Sequence, residues 1–167
     1  MDIDVRVEPT DQALPTVDFR WDADTDILTA TVQAAGAGEG MSGAVEIEGS
    51  DGSWLIFDVS AGRIAGVEVA VWPDVRTVAG LARPADATPA RLTLPARRSQ
   101  PGVASLEVDT RLMAESDAAE RTIHFRIGAT RAVRHLHVAT DLMFDVDERD
   151  RLAGVWLLNV PPFPADQ

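Results

Sequence analysis

Histidine titrates nearest neutral pH and is the commonest protein metal ligand, and this chain has three: His124, His135 and His137. They fall on two consecutive stretches of apolar–polar alternation, separated by the turn-like GlyAlaThrArg at 128–131. A hairpin closing there, with Ile127 opposite Ala132, puts His124 across from His135, and His137 beside it on the same face. Cross-strand neighbours lie roughly 5–8 Å apart, close enough for three imidazoles to share a zinc or similar ion. A slip of one residue in the pairing breaks the cluster. Arg121, Arg126, Arg131 and Arg134 surround the same turn and form the one locally basic segment of the chain. Arg126 and Arg134 are the candidate contacts for an anion or ligand. The plainer reading of these arginines is that they neutralise carboxylates of the other half of the chain.

Asp22, Asp24 and Asp26 begin like a calcium loop, but Ile27 stands at the sixth position and Gln33 at the twelfth. An EF-hand needs glycine and glutamate there, so the run reads as a hairpin turn. The chain has no cysteine and no tyrosine, and it lacks a nucleophile elbow, a His-Glu-x-x-His helix and a phosphate-cradling loop. No linear catalytic motif is legible, and apart from zinc at the histidines no cofactor is indicated.

The elements that must hold these residues read as β. Val17, Phe19 and Trp21 alternate with polar neighbours, and Ile27–Val32, 44–48, 54–59, 63–72, 103–111 and 122–127 follow the same two-residue period. Residues 73–102 hold five prolines and read as a connector with a short edge strand near Arg91–Leu94. The stretch 113–121 fits a helical turn or a polar hairpin loop.

The sequence also repeats itself. FRWDADTDILTATV (19–32) aligns without a gap on FRIGATRAVRHLHV (125–138), LIFDV (55–59) on LMFDV (142–146), and RIAGV (63–67) on RLAGV (151–155). Two copies predict an all-β fold, with antiparallel meander sheets from two pseudo-symmetric repeats forming a sandwich or barrel-like single domain. The first repeat covers 1–72 with its core at 17–72, and the second covers 103–167 with its core at 122–160. Asp58 and Asp145 point away from the core face of their strands, next to turns whose amides they can accept. Gly66 and Gly154 mark bulges or close backbone approaches. The first copy spends 22 residues between Val32 and Leu55, where the second spends three. The glycine-rich arm 33–43 is therefore a candidate flap or partner-binding loop.

Net charge is −12, with 27 acids against 15 basic residues, all of them arginine. Such a surface repels phosphate backbones, which argues against nucleic acid and for a basic protein as partner. No apolar run is long enough to span a membrane, and Met1 leads straight into acidic sequence. A cytoplasmic address is the expectation, as a monomer with internal pseudo-symmetry or a homodimer.

Asp22, Asp26, Leu28, Phe57, Asp58, Gly62, Arg63, Ile64, Gly66, Val67 and Glu68 occur in an order that resembles the small bacterial family catalogued as domain of unknown function 2283. The resemblance covers residues 17–72 and, in degraded form, 122–160, where Gly128 and Trp156 depart from the pattern. It implies a fused pair of short units. The family carries no established activity, and the toxin-like genes beside some members imply an antitoxin- or immunity-like role. The sequence thus predicts a non-catalytic interaction module. Its alternative is a metal- or small-ligand-binding β-barrel, or an enzyme, centred on the His/Arg hairpin 121–137.

Overall fold

Alternation becomes strand throughout the computed structural model, which describes residues 3–33, 42–95 and 103–164, with 103–107 as backbone only. The strands are β1 (Arg6–Pro9), β2 (Val17–Asp22), β3 (Ile27–Val32), β4 (Ser42–Gly49), β5 (Trp54–Ser60), β6 (Arg63–Val71) and β7 (Val75–Thr77). After them come β8 (Thr88–Thr93), β9 (Val103–Thr110), β10 (Leu112–Ser116), β11 (Ile123–Ile127), β12 (Val133–Ala139), β13 (Leu142–Asp147) and β14 (Leu152–Leu157). No helix occurs among the described residues, so none there is long and apolar enough to cross a membrane. Residues 34–41 of the glycine-rich arm lie outside the described residues.

One strongly curled, half-barrel sheet results. Its strands run β7-β10-β11-β14-β13-β12-β8-β6-β5-β4-β9, with β1 on β8 and the β2–β3 hairpin on β6. The sheet is mixed where an antiparallel meander was expected: β7·β10, β8·β12 and β4·β9 are parallel. Each parallel pair joins strands that are far apart in the chain, because a tight turn reverses the chain and a parallel neighbour must run in the same direction. The proline-rich connector supplies a seam and not an edge. Its strand β8 pairs with β12 and β1 and touches β6 through Arg63 and Thr93. Leu112–Ser116 is a strand where a helical turn was one expectation, and 117–122 form the hairpin loop after it.

Pairing also corrects the longest of the three sequence alignments. β2 and β3 pair with each other, whereas β11 and β12, which align on them, do not. The connection order β2-β3-β6-β5-β4 recurs instead as β10-β11-β14-β13-β12. The short blocks agree with this order, since Asp58 faces Gly66 and Asp145 faces Gly154, each with a register shift at the next residue.

Inside the curl, Phe57 meets Phe144 edge to face at 5.6 Å, and Trp72 meets Phe125 at 5.8 Å. Burial of these rings and of Leu28, Ile47, Leu55, Leu92, Leu142 and Leu157 forms the main core. Trp156 does not join it. With Met143 and Leu158 it packs under Leu81 and Ala87 in a second cluster. All residues of β13 and β14 are consequently buried, as expected for strands covered on both faces.

Candidate functional site

The histidines come together by a different route from the hairpin expected. Ile127 does not pair with Ala132, because β11 has β10 and β14 as neighbours while β12 has β13 and β8. The β13–β14 hairpin is inserted between them. Two rows of side chains therefore cross one face of the sheet. Arg126, Gly154, Asp145 and His135 form one row; His124, Trp156, Met143 and His137 form the other.

Asp145 is the centre of this face, and it is buried. Its Oδ2 accepts from His124 Nε2 at 2.7 Å, and its Oδ1 from His135 Nδ1 at 2.6 Å. The Trp156 indole N–H donates to both oxygens, at 3.0 and 3.3 Å. The Trp156 ring also stacks on His124, with centroids 4.0 Å apart and planes 17° from parallel. Burial pushes the Asp145 carboxyl pKa up and is the largest single influence. Hydrogen bonds and charge from His124 and His135 together outweigh it, and the net effect is to hold the carboxyl below its ordinary value. Each imidazole spends one nitrogen on the carboxylate.

His137 stands apart from the pair, its Nε2 within 2.9 Å of the Thr140 carbonyl. Among the described residues, no group of three or more His, Asp or Glu side chains is arranged to hold a metal ion. The expected arrangement of three imidazoles around one ion is thus replaced by two imidazoles around one carboxylate.

Asp145 and Trp156 are the site residues that sequence reasoning missed. The signal was present: a carboxylate inside the apolar run LMFDV must find donors once both strand faces are covered. Nor does Asp145 accept from turn amides as expected. That role belongs to Asp147, whose Oδ1 takes the N–H groups of Arg149 and Arg151. Burial raises the Asp147 pKa, but the Arg131 hydrogen bond and those amides bring it below the ordinary value.

In the first half, Asp58 is exposed, and its row reads Thr31, Gly66, Asp58, Ala44. Thr29 holds the pairing position of His124, and Ala44 that of His135. The imidazole cluster is therefore confined to one half.

The arginines separate by role. Arg131 spans three strands, donating to Asp147 Oδ2 at 2.8 Å and to the carbonyls of Ile127, Ala129 and Leu152. Arg134 forms an exposed pair with Asp150 at 2.7 Å, so it is already neutralised and is not a free anion contact. Both arginines pair with the turn following β13, not with the other half. Replacing Arg134 by glutamine is expected to change urea-unfolding stability by less than about 1 kcal/mol, as for exposed pairs generally. A loss several times larger would make the pair structural. Arg126 forms no ion pair among the described residues: one amino group lies 2.7 Å from Met113 Sδ, and its buried Nε has no acceptor.

A second feature lies where the ends of β2, β6 and β7 meet the C-terminal segment. Asp24 N–H bonds to Asp22 Oδ1, and Asp26 N–H to the Asp22 carbonyl, so the aspartate run is the hairpin turn expected of it. Trp21 stacks on Trp72 at 5.7 Å, and Phe163 approaches Trp21 edge-on at 5.1 Å. The Trp21 indole donates to the Pro161 carbonyl and the Trp72 indole to the Asp26 carbonyl, fixing both rings. Together with Val75, Asp26 and Glu120 they line an open groove of about 310 Å³. Val75 and Phe163 are two of the four exposed large hydrophobic residues described.

No protein-family model matches the chain, and a search of curated proteins also finds no match. The resemblance to domain of unknown function 2283 rests on the residues quoted for it.

Proposed function

We propose that the protein is a non-catalytic interaction module that docks a basic partner protein at the groove of Trp21, Trp72 and Phe163. The carrying observation is that the half-buried rings of Trp21 and Trp72, the exposed ring of Phe163 and two carboxylates, Asp26 and Glu120, share one concavity. Contiguous exposed apolar surface marks binding sites more often than chance. Indole and phenyl rings attract guanidinium and ammonium groups through their π faces, and neighbouring carboxylates add charge complementarity. Net charge of −12 speeds the approach of any cationic partner. The family resemblance supports an antitoxin-like sense, with a small basic protein as target, and the lack of cysteine agrees with a cytoplasmic address. The same reading treats the chain as two diverged copies, supported by the recurring strand connection and the paired Asp–Gly registers.

Titration of tryptophan fluorescence with an arginine-rich peptide tests the reading. Binding is expected to weaken at least about fivefold in the double variant Asp26→Asn, Glu120→Gln, and to weaken as salt rises. Both residues have positive φ, 60° and 58°; asparagine is well suited to that conformation, and the paired substitution leaves the aromatic rings in place. Unchanged affinity in the double variant means that the peptide binds elsewhere and overturns the assignment.

A further inference from the structure

Thr10 and Gln12–Pro15, the end of β3, the start of β6 and the middle of β8 line a half-open cavity of about 300 Å³. Its walls include Leu14, Val32, Ile64 and Leu92, and two guanidinium side chains, Arg63 and Arg91, line it. No carboxylate is among its lining residues. The pocket beside Arg131 and Arg151 is also lined by two arginines and no carboxylate, but there Asp147 accepts from both. Arg63 Nε is buried without an acceptor, and Arg63 forms no ion pair among the described residues. A buried N–H left unmatched is costly and calls for an acceptor. Arg91 donates to the neutral amide Gln12 Oε1 and stands cross-strand from Glu8, with no ion pair to it among the described residues.

The second half shows what is missing. Arg151 begins RLAGV as Arg63 begins RIAGV, and Arg151 Nε donates to Asp147 Oδ2 at 3.2 Å. Extending the aligned blocks by one residue gives LMFDVD against LIFDVS, so Ser60 stands where the counter-ion Asp147 stands. Ser60 lies directly opposite Arg63 in the β5–β6 ladder. The first half has kept the guanidinium and lost its internal carboxylate.

We propose that this cavity binds a small amphipathic monocarboxylate, with its head group on Arg63 beside Arg91 and its tail against Leu14, Val32, Ile64 and Leu92. A guanidinium matches a carboxylate with two parallel hydrogen bonds. The apolar walls favour a hydrocarbon tail over a fully hydrated anion, and the volume lies at the small end of ligand cavities. This assignment is independent of the aromatic groove, which lies at the opposite ends of β3 and β6.

Calorimetric titration of the full chain with octanoate, acetate and inorganic phosphate tests it, with circular dichroism to check the fold of each variant. Octanoate is expected to bind at least about tenfold more tightly than acetate, because the tail adds apolar burial. Arg63→Gln is expected to lose about tenfold or more in octanoate affinity. Ser60→Asp supplies the missing counter-ion from the protein itself, and is expected to weaken octanoate binding similarly while the fold is kept. It repeats the test without removing the arginine. Phosphate binding more tightly than octanoate, octanoate affinity unchanged by Ser60→Asp, or no octanoate binding at all overturns the proposal.

Discussion

Alanine at position 154 is expected to destabilise the protein by about 3 kcal/mol in urea unfolding, the upper part of the range for overpacking. A Cβ there meets Asp145 Oδ2 at 2.6 Å, the Phe125 carbonyl at 2.7 Å and His124 Nε2 at 3.1 Å. The Phe125 oxygen is backbone in the adjacent ladder and cannot swing aside. The other two atoms belong to the hydrogen-bonded cluster, so relieving the clash means breaking it. Gly66, at the matching place in RIAGV, provides the control. Its nearest atoms are the Ala30 carbonyl at 3.2 Å and Asp58 Oδ2 at 3.5 Å, and the Asp58 side chain is exposed and able to move. Alanine at 66 is expected to be near neutral, because a small crowding cost is offset by the lower conformational entropy of the unfolded alanine chain. Equal losses at the two glycines would show that strand geometry matters here and the Asp145 cluster does not.

Removing the carboxylate itself is expected to cost about 2–4 kcal/mol, since Asp145→Ala strands three N–H donors from His124, His135 and Trp156 at once. The corresponding Asp58→Ala change removes an exposed carboxylate and is expected to be close to neutral. The pH dependence gives a sharper reading through Asp145→Asn. The carboxyl of Asp145 is held below its ordinary 3.8 in the folded protein. A depressed folded pKa contributes stability that is complete above the unfolded value and is lost as pH falls through the folded one. Wild-type stability is therefore expected to fall off below about pH 4 as this carboxyl protonates. Asp145→Asn should lie lower at neutral pH and show a shallower acid limb. Asp147 shifts in the same direction, so the limb flattens without disappearing. Urea midpoints for Asp145→Asn that run parallel to wild type between pH 7 and 3 would remove the carboxylate from its central role.

These effects cluster on one carboxylate because four strands converge on it. His124 comes from β11, His135 from β12, Asp145 from β13 and Trp156 from β14, so the cluster fastens strands that no single turn connects. The aromatic groove likewise draws on distant parts of the chain, with Trp21 and Phe163 separated by almost its whole length. Both features therefore rest on contacts of long sequence separation, whose formation carries the loop-closure entropy that local hairpins avoid.

The two-residue period, the turn residues and the short repeated blocks settle much of this protein without reference to its fold. They place β2, β3, β5, β6 and β11, assign Asp22–Asp26 to a turn, and mark Gly66 and Gly154 as bulges or close approaches. Such features depend on residues within a few positions of one another, where alternation and turn chemistry act directly. Sequence also identifies His124 and His135 as neighbours, but by a pairing that does not form. Consecutive strands are usually adjacent, and β11 and β12 are an exception because the β13–β14 hairpin occupies the place between them. Strand order, the parallel seams at β8 and β9, and the covering of β13 and β14 on both faces depend on contacts across the whole chain. Those contacts turn Asp145 from an expected turn acceptor into the centre of a buried cluster, and they leave Arg63 without a counter-ion among the described residues. Local periodicity fixes which face a side chain takes; only tertiary packing decides what that face meets.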